Sequence, residues 1–224
     1  PPSGSAPAPG KILAKPEESR SKLKDLEAGW EELEKSNQAI QTLYKTGKYS
    51  VVHPDFIHGV FVPYEQDEAA GPDDFEVQIG NFLAYSVPLW QGSDYLSQLQ
   101  GQWLPYYNEE LRLQRLKKVR WFCLNNLYHI PPYIERGLYF QSFDRLYNAY
   151  REFLQALFIA RRTYPIAYNK WIREQVEAIL GLPELYEQLT HLFEIKQFES
   201  DEIVDKAKEV EELLEKYAPP PQGK

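Results

Sequence analysis

The chain has 224 residues, 43% of them apolar and 14% aromatic, a composition that excludes wholesale disorder and low-complexity character. Acidic residues outnumber basic ones, 33 to 25, for a net charge of −8, which excludes a broad nucleic-acid footprint. The single cysteine, Cys123, allows neither an internal disulfide nor a cysteine-built zinc site and fits a reducing, cytoplasmic setting, and no apolar run reaches the roughly 20 residues that span a bilayer, so no membrane partner is expected.

Taken in chain order, PPSGSAPAPG opens a flexible lead-in, assigned to residues 1–18. The chain begins at Pro1 and holds no methionine, which fits a fragment, a processed chain or a redesigned sequence. A first helix is predicted over Ser19–Lys45, because Leu23, Leu26, Trp30, Leu33, Ile40 and Leu43 recur at helical spacings. Tyr49–Val52 and Ile57–Tyr64 are rich in β-branched and aromatic residues and read as strands. After a polar loop, Phe75–Gly80 (FEVQIG) alternates apolar and polar residues and reads as a third strand, followed by an apolar connector, Asn81–Trp90.

From Ser93 onward the pattern is helical. Asn108 is a good N-cap, with Glu109 and Glu110 in the first turn of a helix that reaches Tyr128. The clearest helix spans Ile134–Arg162, with one stripe from Tyr139 through Phe158. Further helices are predicted over Tyr168–Leu180, stopped by Gly181, over Pro183–Ile195, and over Ser200–Ala218, before a tail at residues 219–224. The expected fold class is α+β, mostly α: a small sheet-containing segment at residues 19–92, then a bundle of five or six helices at residues 93–218.

Much common chemistry is missing. The sequence has no phosphate-binding glycine loop, no H-E-x-x-H and no G-x-S-x-G. His53, His58, His129 and His191 share no metal spacing, and Cys123, between Phe122 and Leu124, reads as a small buried hydrophobe. What stands out is Phe153–Val176, FLQALFIARRTYPIAYNKWIREQV. Three fixed cations (Arg161, Arg162, Lys170) and two phenols (Tyr164, Tyr168) converge on one turn between helices. A lysine in the first turn of a helix opposes the dipole, which suggests that it points at an anion. The alternative is pairing of these cations with acids such as Glu135 or Glu174.

The pattern R-R-x-Y-P-x-x-Y-x-K-W after an apolar helix resembles the helical domain that follows minimal nucleotidyltransferase folds. It is similar to an uncharacterised bacterial family of that kind and, more distantly, to kanamycin nucleotidyltransferase and the aminoglycoside adenylyltransferases. The resemblance covers Asn108–Ile195. It implies Mg2+-dependent transfer of a nucleoside monophosphate from an NTP to a hydroxyl of a small-molecule acceptor. Lys170 would reach the phosphates, and Arg161, Arg162, Tyr164 and Tyr168 would line the same pocket. Glu76 resembles the family's third-strand carboxylate, as metal ligand or general base. The family's G-S turn and acid-x-acid strand do not precede Glu76: Gly4-Ser5 lies in the Pro/Ala-rich lead-in, and Asp73-Asp74 is adjacent, so on a strand the two would face opposite ways. The resemblance therefore implies a nucleotidyltransferase that lacks its metal-binding motif in this sequence.

The competing reading is a non-catalytic helical module that binds a ligand or protein through aromatics such as Trp90, Trp103, Tyr106, Tyr107, Trp121 and Tyr139. The acidic helix Ser200–Tyr217 reads as a solvated face and as a candidate contact in a homodimer.

Overall fold

The computed structural model describes residues 16–46, 55, 59–63 and 70–221. The chain divides into two compact units, residues 1–60 and 61–224. In the first, the single helix expected over Ser19–Lys45 is two helices, α1 (Pro16–Ser36) and α2 (Gln38–Lys45). Asn37 breaks them: its backbone is extended and its side chain accepts from the amides of Ala39 and Ile40, at 3.0 and 3.2 Å, so the residue caps α2 instead of continuing α1. The Gln41 amide donates to the Glu34 carbonyl at 2.9 Å and the Tyr44 hydroxyl to the Glu34 carboxylate, which fixes the bend. The strand expected at Tyr49–Val52 lies outside the described residues; of the one expected at Ile57–Tyr64, residues 57, 58 and 64 lie outside them and residues 59–63 are neither helix nor strand.

Residues 61–92, expected to form one segment with residues 19–60, belong instead with the later helices. The expected strand at Phe75–Gly80 is helical: α3 (Phe75–Ile79) runs into a π-helix, Gly80–Ala84. Phe75, Ile79 and Leu83 recur every four residues and all are buried, which is one helical face. The apparent alternation misled because Glu76, taken as the outward polar residue, is also buried. Among the described residues there is no strand and the chain is mostly helical, so the expected small sheet segment finds no support.

Next come α4 (Tyr95–Trp103), α5 (Glu109–Tyr128), the short α6 (Ile130–Ile134) and α7 (Tyr139–Ala160). Asn108 caps α5 as expected, accepting from the Leu111 amide at 2.9 Å. Pro131 and Pro132 sit in the first turn of α6, where a missing N–H costs nothing. The helix expected from Tyr168 starts only at α8 (Ile172–Glu174), continued by a second π-helix, Gln175–Ile179; then come α9 (Pro183–His191) and α10 (Glu202–Tyr217).

α7 is buried on nearly every side from Ala149 to Ile159 and is the central helix, covered by α5, α6 and α10. Leu146, Phe153 and Leu157 share its core with Val119 and Cys123 of α5 and Val210 and Leu214 of α10. The Arg120 guanidinium of α5 ties α10 down at its C-terminus: it donates to the carbonyls of Leu214, at 3.2 Å, and Ala218, and pairs with Glu215. A second core gathers Phe61, Phe75, Ile79, Leu83, Leu99, Tyr107 and Tyr164. No helix among the described residues is long and apolar enough to cross a membrane.

Candidate functional site

Where α3 meets α5 and α7, a charged cluster is buried. Arg115 lies on the α5 line Leu111–Arg115–Val119, which faces inward, so its guanidinium must find partners inside the protein. Its Nη1 and Nη2 donate to the two oxygens of Asp73 at 2.7 and 2.6 Å, and its Nε and Nη2 donate to the two oxygens of Glu76 at 2.8 and 2.6 Å. The Gln155 amide of α7 donates to both acids, at 2.8 Å each, and the Tyr107 hydroxyl donates to Glu76 Oε1 at 2.8 Å. The Phe75 ring lies 5.0 Å from the guanidinium. Glu76 is 0% exposed. Burial works against the Arg115 charge, but Glu76 and Asp73 outweigh it and hold the guanidinium above its ordinary range. The Tyr107 phenol is pushed up by burial and by the neighbouring Glu76 charge, so it stays a donor.

Beside this cluster runs the loop that carries the predicted cations. Both of its ends are left-handed: Arg162 has φ 51° and Trp171 φ 55°. Neither is glycine, and such backbone is costly unless the surroundings impose it. The surroundings are the two π-helices. From the first, the Tyr85 hydroxyl donates to the Tyr164 carbonyl at 2.5 Å and the Asn81 amide to the Ile166 carbonyl at 3.0 Å. A Cβ on Gly80 would stand 2.3 Å from the Pro165 carbonyl oxygen, so only glycine permits this approach. At the second, the buried Gln175 side chain accepts from the amides of Ile166 and Ala167, at 2.6 and 3.3 Å, and donates to the carbonyls of Ala167 and Lys170, each at 2.8 Å.

The structure divides the predicted site residues in two. Tyr164 and Tyr168 are buried, and burial, with Glu76 nearby, raises both phenols. The Tyr164 hydroxyl donates to the Trp103 carbonyl at 2.7 Å, and its ring lies 4.7 Å from that of Tyr106. The cations stay outside. Arg162 is exposed and paired with Glu109 at 3.1 Å, an acid that Arg112 and Arg162 hold down to about 2. Arg161 and Lys170 are exposed, and neither forms an ion pair with a described residue. Lys170 is not in the first turn of a helix, so the dipole argument for its direction falls. Glu76 is on a helix, not a strand; its charge acts on both phenols, but its hydrogen-bond partners are Tyr107, Arg115 and Gln155 and none of the predicted cations. His53 and His58 lie outside the described residues. Cys123 is buried, and its thiol donates to the Ala149 carbonyl at 3.3 Å.

The residues do not fit Mg2+. The Arg115 fork occupies the carboxylate oxygens of Asp73 and Glu76 that a dication would use, and among the described residues no three His, Cys, Asp or Glu side chains gather closely enough to hold a metal. Sequence reasoning missed Asp73, Arg115, Gln155 and Gln175. The available signal was a polar residue inside an apolar stripe: Arg115 before Leu116, and Gln155 between Leu154 and Ala156. Against known proteins, no family model matches the chain, no curated protein matches it, and no solved structure matches it.

Proposed function

We propose that the chain is a non-catalytic helical binding module. One observation carries the reading: Glu76, the carboxylate that the nucleotidyltransferase resemblance assigned to chemistry, is enclosed, with both oxygens taken by Arg115, Tyr107 and Gln155. A carboxylate held in this way holds α3, α5 and α7 together and reaches no substrate. The surface fits a binding role. Val87, Leu89 and Trp90 are 76, 96 and 84% exposed on one loop, an apolar display that folding alone does not require. The buried, unpaired Cys123 is compatible with the cytoplasmic setting proposed for it.

A second reading, nucleotidyl transfer or NTP binding, draws on Lys170 and Arg161, exposed and without an ion pair among the described residues, at the ends of a strained loop. Thermal melts with each of the four NTPs at 1 mM, with Mg2+, separate the two. The module reading expects shifts of about 1 °C or less and no pyrophosphate release with an aminoglycoside acceptor. A rise of several degrees that Lys170→Ala removes, with pyrophosphate release, would overturn it. Leu89→Ser/Trp90→Ser should leave the melting temperature unchanged within about 1 °C, since these side chains contribute little to the core.

A further inference from the structure

Resting on the module reading, and narrowing it to a partner class, we propose that α1 docks a basic amphipathic helix of another protein. Leu26, Trp30 and Leu33 follow one another at spacings of four and three, so they form one seam along the helix. Among the described residues of the first unit nothing buries that seam: Leu26 is 51% and Leu33 46% exposed, Trp30 between them is half-buried, and Leu43 of α2 is 40% exposed. α2 buries no residue at all. A helix gains most of its stability from packing an apolar face, so a seam left in water is one that an incoming helix would complete.

Charge selects the occupant. Between residues 24 and 35 the flanks carry five carboxylates (Asp25, Glu27, Glu31, Glu32, Glu34) against two lysines (Lys24, Lys35). Lys35 is already placed beside Glu31, at 3.6 Å. A second copy of the chain would set this acidic rim against itself in either orientation, and like charges at helix flanks repel. An incoming helix with leucines at three- and four-residue spacing and lysines or arginines beside them matches both the seam and the rim.

The test uses the full chain and a fluorescein-labelled synthetic helix of 21 residues, leucine at heptad positions a and d and lysine at e and g, followed by anisotropy. Binding is expected with a Kd on the order of 10 µM in 50 mM NaCl, at least about fivefold weaker in 500 mM NaCl. Leu26→Ser/Leu33→Ser should weaken it at least about tenfold, since the charge is unchanged and only the seam is lost. Glu31→Lys/Glu32→Lys, at exposed positions that leave folding intact by circular dichroism, should shift preference towards a peptide with glutamate at e and g. Three results each overturn the proposal: no binding, equal binding to the Leu26→Ser/Leu33→Ser chain, or a peptide-independent dimer in sedimentation that this double variant abolishes. The NTP melts report separately on the module reading, so a failed peptide titration with unshifted melts removes this surface and leaves that reading standing.

Discussion

Glu152 should make the larger unit lose stability as pH rises through the neutral range. Its carboxyl is buried on α7; Oε2 accepts from the Asn126 amide at 2.9 Å, Asn126 accepts from Arg145 at 2.8 Å, and Oε1 has no partner among the described residues. Burial pushes the group up to about 8, against smaller opposing effects of Asn126, Arg145 and Arg151. The folded state therefore holds a proton that the unfolded chain releases near 4.5. Between those two values the native state binds more protons, so stability falls with rising pH, and above about 8 the loss is complete. At 1.36 kcal/mol per unit the full loss is at most about 5 kcal/mol, and each kcal/mol moves the melting temperature of a unit this size by about 3 °C. Glu152→Gln keeps the acceptor for Asn126 and cannot ionise. Thermal melts from pH 5 to pH 9 should show the two proteins within about 2 °C at pH 5 and the variant about 5–15 °C higher at pH 8.5. A gap that stays constant across that range would refute the reasoning.

Gly80→Ala should cost several kcal/mol, because its Cβ would meet the Pro165 carbonyl oxygen at 2.3 Å, whereas Gly101→Ala in α4, with nothing within 4 Å, should be neutral or stabilise by up to about 1 kcal/mol. Urea melts compare the pair, and equal effects would contradict the packing argument. Arg115→Met leaves two carboxylates buried without their cation and should cost about 3–5 kcal/mol, much of it recovered in the triple variant Asp73→Asn/Glu76→Gln/Arg115→Met. A loss under about 1 kcal/mol in the single variant would mean that the cluster is hydrated. Gln175→Ala should speed hydrogen exchange at the Ile166 amide, its partner at 2.6 Å, by at least about tenfold; unchanged exchange would show that the loop holds its form without the amide.

Of the helices after residue 107, α5, α7, α9 and α10 were legible, α5 and α9 because residues with a local mechanism mark their ends, whereas α6 and the late start of α8 were not. Asn108 accepts from the Leu111 amide, and Gly181 takes a positive φ of 67° that suits a chain reversal. Phe75–Gly80 was not legible. Over six residues, alternation and a four-residue spacing give overlapping patterns, and the deciding contact comes from Arg115, 39 positions further on. The same distance hid the cluster: Asp73 and Glu76 read as polar loop and strand residues until α5 brings a guanidinium to both. The break at Asn37 had its signal in the residue type, but an asparagine inside a helical pattern and an asparagine capping the next helix look alike until the backbone is seen.

The two halves of the predicted site separate for a reason of magnitude. A phenol brings one polar atom and a large apolar ring into a core, so Tyr164 can be buried at the cost of one hydrogen bond, to the Trp103 carbonyl. A cation brings a charge that must be paired to be buried, and the oxygens of the two interior carboxylates are already taken by Arg115, Gln155 and Tyr107. Nothing there calls Arg161 or Lys170 inward, and both stay in water. In that dielectric a charge pair at 4 Å is worth about 1 kcal/mol, so two exposed cations on a triphosphate give affinity no better than about 1 mM. At 1 mM NTP the linkage is about 0.4 kcal/mol, or about 1 °C in a melt. A rise of 3 °C would demand a Kd near 0.2 mM, more than these cations supply where they stand. It would therefore count against the module reading and for nucleotide binding by groups beyond these two cations.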